Sequence, residues 1–211
     1  MEADAAPPQP LRPGVPAPEF RARTTAGERS LADYRGRWLV FFSHPADFTP
    51  VCTSEFVALA KAAPAFEALD CELLALSVDS LFAHLAWALS IEEGFGVTIP
   101  FPIVEDPSLA IASTYGMIDP SAGDTATVRA TFFIDPLGVI RAITWYPMTN
   151  GRSVEEMLRL LAALQETDKT GASTPEGWKL GDSLVEPSAM TLAEARARRG
   201  DGPWYFRRRT P

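Results

Sequence analysis

The chain has 211 residues, 46% of them hydrophobic and 22% charged, which fits one ordinary domain with at most a small appendage. With 27 acidic against 19 basic residues, the formal net charge of −8 argues against nucleic-acid binding, which calls for a basic footprint. Two cysteines exclude a disulfide scaffold and fit a reducing compartment, two histidines exclude a His-rich metal centre, and apolar runs such as Trp38–Phe42 are too short to cross a bilayer. No charged start followed by an apolar stretch marks an export signal, so the expectation is a cytoplasmic protein that does not engage a membrane.

Six of the 19 prolines fall within residues 1–18, so that stretch reads as an extended leader. From about Phe20 to Leu164, strand-like and helical signals alternate. Trp38–His44, Cys71–Val78 and Phe101–Val104 are apolar runs of strand length, and Ala130–Asp135 and Val139–Tyr146 read as two strands joined by the tight turn Pro136-Leu137-Gly138. Between them lie helical stretches at Thr53–Leu69, Ser80–Glu93, Pro107–Tyr115 and Val154–Leu164. In the last, Val154, Met157, Leu158, Leu161 and Leu164 form one apolar face. Strands separated by helices predict an α/β fold, a mixed central sheet with helices on both faces.

After Thr167 the periodicity fades, with a short helix predicted at Leu192–Arg199. We divide the chain into a domain over 1–168 and a C-terminal arm over 169–211. The last 16 residues hold six arginines and one acid, a local charge of +5, whereas residues 1–195 carry 13 bases against 26 acids and sum to −13. A basic arm bearing Trp178, Trp204, Tyr205 and Phe206 is expected to dock on this acidic body or on that of a partner subunit, since exposed aromatic rings are costly.

The most informative segment runs from Phe41 to Glu55. An apolar strand ends near His44, and Thr49 is a good N-cap for a helix whose first position is Pro50. That places Cys52 in the first helical turn, where unpaired N–H groups and the positive end of the dipole favour an anion. The thiolate is the nucleophilic form of cysteine, so this placement makes a reactive sulfur. Free cysteines are more often inert packing residues, and it is the Thr-Pro helix start that weighs against this for Cys52. The end of a strand in an open α/β sheet is also where such folds build sites.

The segment Pro45-x-x-x-Thr49-x-x-Cys52 resembles the active-site signature of the peroxiredoxins, thiol peroxidases on a thioredoxin-like fold. The longer string HPADFTPVCTSE resembles their one-cysteine, type-six subfamily. The segments at Leu76–Ser80, His84–Trp87, Ile99–Glu105, Arg129–Asp135, Tyr146–Arg152, Thr174–Trp178 and Gly181–Ser183 follow in that subfamily's order, so the resemblance spans about Arg12 to Pro211. It implies that Cys52 attacks a peroxide oxygen and becomes a sulfenic acid, that the Thr49 hydroxyl contacts sulfur and peroxide, and that Pro45 shields the pocket. It implies that Arg129 lies beside the thiolate, that His44 hydrogen-bonds the peroxide or the oxidised sulfur, and that Glu55 and Arg152 support Arg129. A guanidinium stabilises a sulfur anion and donates to a leaving oxygen, which agrees with the role implied for Arg129.

Two departures narrow the expectation. The arm carries no resolving cysteine, and Cys71, which opens an apolar strand, reads as a packing residue. The positions matching the phospholipase triad of mammalian relatives are Leu31, Arg37 and Leu137, which cannot do that chemistry. His84 and Trp87 share one helix without further metal ligands in sequence, and Gly94-Phe95-Gly96 is not a phosphate loop. The resemblance therefore implies a peroxidase acting on hydrogen peroxide and alkyl hydroperoxides, with no metal or cofactor. An external thiol (thioredoxin, glutaredoxin with glutathione, or another) regenerates it, and it assembles as a homodimer or a ring of five dimers. A holdase-type chaperone activity is the alternative, in addition to the peroxidase. A thiol–disulfide exchanger is disfavoured because Thr49 stands where the first cysteine of Cys-x-x-Cys would be.

Overall fold

The computed structural model describes residues 10–119, 121, 123–200 and 202–210, so residues 1–9 of the proline-rich leader lie outside it. Contacts divide the chain into two compact units, 1–154 and 155–211, a boundary ahead of the one drawn from composition. No described helix is long and apolar enough to cross a membrane.

The first unit runs β1 (Arg21–Thr24), β2 (Gly27–Ser30), a 3-10 turn (Leu31–Tyr34), β3 (Trp38–Ser43), α1 (Pro50–Ala68), β4 (Cys71–Ser77), α2 (Leu81–Phe95), β5 (Ile103–Glu105), α3 (Ala110–Thr114), β6 (Arg129–Ile134) and β7 (Ile140–Tyr146). These strands form a seven-stranded sheet in the order β2-β1-β5-β4-β3-β6-β7. β3 pairs parallel with β4 and antiparallel with β6, which makes the mixed sheet that the alternation predicts. The β1–β2 hairpin is an addition to the predicted elements. α3 is shorter than its prediction, and α1 begins at Pro50, the first helical position that a Thr49 cap predicts.

β3 lies in the sheet interior, between β4 and β6, and all six of its residues are apolar or small and buried. Its side chains alternate between two cores. Leu39 and Phe41 join Leu74, Val104, Ile111 and Phe132 on one side, where the described part of the leader also docks through Leu11, Val15 and Ala17. On the other side Phe42 meets Phe56 of α1 and Phe101 edge-on. α2 ends at Gly96, whose φ of 64 lets its N–H turn back to the Glu92 carbonyl at 2.9 Å, so Gly94-Phe95-Gly96 is a helix stop.

The second unit holds α4 (Val154–Thr170), β8 (Leu184–Val185), α5 (Leu192–Ala197) and β9 (Arg208–Arg209), with β8 and β9 paired antiparallel. α4 runs past Leu164 to Thr170, helped by Glu155 and Glu156 in its first turn and Lys169 in its last. A small core of Ala163, Ala172, Trp178 and Leu184 closes the unit, and the Trp178 indole donates to the Asp182 carbonyl at 3.1 Å. Trp178 is thus buried within its own unit, whereas Trp204, Tyr205 and Phe206 are exposed.

Phe41 is wholly buried against the rings of Phe20, Tyr115 and Phe132. Phe41→Ala should therefore cost about 3–5 kcal/mol in urea unfolding. A loss under about 1 kcal/mol would mean that this core collapses around the missing ring.

Candidate active site

The loop from His44 to Thr49 leads from β3 into α1. Thr49 occupies the N-cap position, but its side chain makes no capping bond. Its hydroxyl donates instead to the Ala46 carbonyl at 2.9 Å. Pro50 takes the first helical position, as predicted, and Cys52 falls in the first turn. Cys52 has no solvent exposure, and Pro45 in the preceding loop is also buried.

Arg129 is delivered to this sulfur by the joint between β3 and β6. Ser43 donates to the Val128 carbonyl at 2.6 Å and accepts from the Ala130 amide at 3.2 Å, while Thr127 donates to the His44 carbonyl at 2.6 Å. The first residue of β6 then lies against the end of β3. Arg129 Nη1 donates to Cys52 Sγ at 3.3 Å and to Glu55 Oε2 at 2.8 Å. Nε and Nη2 both donate to the Met148 carbonyl, at 3.0 and 2.9 Å.

Glu55, one turn into α1, is 3% exposed and is gripped from the other side by Arg152. The Arg152 amide, Nε and Nη2 all donate to its carboxylate at 2.8–3.0 Å. Arg152 Nη1 donates to the Ala130 carbonyl and to Thr131, and its guanidinium lies over the Phe42 ring at 5.1 Å. Burial alone would raise the Glu55 carboxyl, but the hydrogen bonds and charge of Arg152, aided by Arg129, outweigh it and hold the group below its ordinary value. Two guanidiniums face one carboxylate here. The surplus positive charge is what a thiolate at Cys52 would neutralise.

His44 is wholly buried, stacked on Trp87 at 5.2 Å and edge-on to Phe56 at 4.8 Å. Its Nε2 meets Asp47 Oδ1 at 2.8 Å, and its Nδ1 is a buried nitrogen with no hydrogen-bond partner. Burial lowers the His44 imidazole below its ordinary value, and the Asp47 carboxylate offsets only part of that. Asp47 also meets His84 Nδ1 at 2.7 Å. The sequence reading left His84 without nearby ligand-type residues, and the structure corrects this, since the fold brings His84 of α2 to His44 and Asp47. An ion shared at about 2.0–2.1 Å from each nitrogen would hold its ligands farther apart than these contacts, which have the length of hydrogen bonds. Asp47 and His84 lie 37 residues apart, so spacing along the chain gives no sign of their contact.

Cys71, at the start of β4, is 4% exposed, and burial pushes its thiol up to about 12. Of the positions matching the lipase triad, Leu31 is buried and Leu137 is 79% exposed. A groove of about 430 Å³ beside the first turn of α1 is lined by Phe48, Thr49, Pro50, Thr53, Trp87, Ile91 and Phe95, among others.

The AhpC/TSA family model matches residues 13–143. A peroxiredoxin of Aquifex aeolicus is 51% identical over 184 residues, covering 87% of this chain and 81% of its own. A peroxiredoxin of Nanoarchaeum equitans is 44% identical, covering 92% and 96% respectively. Among solved structures, a yeast mitochondrial one-cysteine peroxiredoxin, described with a thiol resolving mechanism via glutathione/thioredoxin systems, superposes with a TM-score of 0.86 at 39% identity, over 95% of this chain and all of that one. A cysteine-to-serine mutant of the peroxiredoxin 6 of Arenicola marina gives a TM-score of 0.81 at 33% identity, over 89% and 88% of the two chains.

Lysine at position 129 would keep a charge but could not serve Cys52, Glu55 and the Met148 carbonyl at once. Arg129→Lys should slow peroxide oxidation of the protein thiol, followed by stopped-flow fluorescence, on the order of 10²–10³-fold. A Lys variant with the parent's rate constant would remove Arg129 from the site.

Proposed function

The chain belongs to the AhpC/TSA family and is a peroxiredoxin, a thiol peroxidase, and from that premise we propose that Cys52 is its peroxidatic sulfur. The observation that carries this reading is the Arg129 guanidinium on Cys52 Sγ at 3.3 Å in the first turn of α1. The Cys52 thiolate attacks one peroxide oxygen, an S–O bond forms and the O–O bond breaks. The departing oxygen takes the proton that the thiol released on ionising and leaves as water or an alcohol, and Cys52 becomes a sulfenic acid. Arg129 stabilises the thiolate and then the charge moving onto the departing oxygen. Thr49 offers hydroxyl lone pairs to the peroxide, Pro45 helps keep water out, and His44 offers its unpartnered Nδ1 to an O–H. Glu55 and Arg152 hold Arg129 in place.

Hydrogen peroxide and alkyl hydroperoxides are the substrates in this reading, and the apolar groove beside Thr49 suits an organic tail. An external thiol condenses with the sulfenic acid, releasing water, and a second thiol frees Cys52 as a new disulfide departs. Thioredoxin or glutaredoxin with glutathione fits this step, in line with the description of the yeast relative. Two free cysteines suit a reducing cytoplasm.

The domain over 1–168 carries this chemistry, and the arm over 169–211 serves dimerisation. β7 is an edge strand bearing Trp145 at 49% exposure, with Met148 at 46% just beyond it, a surface fitted to a second copy. Exposed Trp204, Tyr205 and Phe206, with the terminal arginines, suit the acidic body of that second copy. Phe82, Leu85 and Leu89 on α2 give a further apolar surface for gathering five dimers into a ring. Holdase activity would be an addition in such a ring.

Cys52→Ser should abolish peroxide reduction in a thiol-coupled assay, and Cys71→Ser should keep most of it. An inactive Cys71→Ser with an active Cys52→Ser would reverse the assignment. Light scattering should give about twice the 22.9 kDa chain mass, or a multiple of that, at micromolar concentration. A monomer would remove the dimer from this reading.

A further inference from the structure

Asp47 is tied in three directions. Its carboxylate spans His44 Nε2 at 2.8 Å and His84 Nδ1 at 2.7 Å, and its backbone N–H donates to Asp79 Oδ2 at 3.0 Å. Asp79 Oδ2 also accepts the Ser77 hydroxyl at 2.7 Å. The loop between β3 and α1 is thus fastened to the end of β4 and the start of α2. The next residue, Phe48, has a φ of 57, a left-handed conformation strained for a side chain of its kind, and it leads directly into Thr49.

The hydrogens in this cluster can be counted. His84 Nδ1 faces a carboxylate oxygen, and its Nε2 faces the Val104 carbonyl at 3.2 Å, so both nitrogens meet groups that only accept. The Asp47 carboxylate between the two rings is an acceptor only, so His44 Nε2, which faces it at 2.8 Å, carries a hydrogen. The hydrogen bonds from the two histidines outweigh the burial of Asp47 and keep that carboxylate below its ordinary value. Burial outweighs the nearby carboxylates and holds the His44 imidazole below its ordinary value, so the ring is neutral, donates from Nε2 and keeps a bare Nδ1.

We propose that Asp47 and His84 are positioning residues of the peroxidatic site, fixing His44 with its hydrogen on Nε2 and its Nδ1 free to accept, and pinning the loop that carries Pro45 and Thr49. The assignment rests on the reading of Cys52 as the peroxidatic sulfur. Asp47 and His84 act through His44 and the loop, and are given no contact with peroxide.

Nitrogen-15 NMR of the reduced, full-length protein tests it directly, because the chain has only two histidines. The parent should show the His44 ring with a bare Nδ1 and a protonated Nε2. Asp47→Leu should lose that pattern and slow oxidation by hydrogen peroxide on the order of 10–10²-fold, the scale of a small displacement at a reacting centre. Asp47→Asn should fall between the two, because its amide oxygen can still accept from His44 Nε2 while its amide nitrogen donates to His84 Nδ1. A parent His44 bearing its hydrogen on Nδ1, or on both nitrogens at neutral pH, overturns the proposal whether or not Asp47→Leu folds. A parent oxidised at Cys52 beside an Asp47→Leu variant of equal rate overturns this assignment alone. A parent with no sulfenic acid at Cys52, by trapping and mass spectrometry, overturns the reading of the site beneath it.

Discussion

Everything around Cys52 depends on one guanidinium held out of water. Arg129 is 2% exposed, and a charge buried that far costs several kcal/mol unless it is fully met by partners. Its partners come from two other places in the fold. Cys52 and Glu55 lie on α1, Met148 lies beyond β7, and Arg129 itself starts β6. Glu55 in turn needs Arg152 to remain a carboxylate at that depth. The sheet order β4-β3-β6-β7 gathers these groups, since it places the end of β3, and the helix that follows it, beside the start of β6. The fold is the means by which an arginine, a glutamate and a thiol share one dry volume.

What could be read in the chain follows from how local each signal is. Thr49, Pro50 and Cys52 are consecutive features of one helix start, so elementary capping rules place the sulfur correctly. They do not say that the Thr49 hydroxyl turns to the Ala46 carbonyl instead of capping. Arg129, Glu55 and Arg152 came from resemblance, because nothing in their immediate neighbours marks them as buried. The apolar strands β3, β4 and β6 were plain from composition. β1 and β2 were not, since residues 21–30 are mostly polar, and of them only Thr24 and Ser30 are buried. The His44–Asp47–His84 cluster lay beyond reach for a further reason. An Asp three residues past a His looks like a loop, and a His in the sequence HLAW looks like part of a helix face, until the parallel pairing of β3 with β4 stacks the two junctions together.

The two cysteines make the same point in miniature. Both are buried, at 0% and 4%, so exposure does not tell them apart. Cys71 opens a strand and donates to the Glu72 carbonyl, and its burial outweighs what the Val40 main chain and Arg37 offer an anion. Cys52 meets a guanidinium donor at a helix start. The two sulfurs differ in the groups that surround them, not in their depth.

Arg129 is anchored twice by the main-chain oxygen of Met148, not by its side chain. The residue at that exposed position can therefore change in size, shape or polarity without unseating the arginine. The chain has in effect separated two duties at a single place, with the peptide bond committed to chemistry and the side chain left to drift. A substitution at position 148 could change what that surface meets while leaving the buried guanidinium where it is.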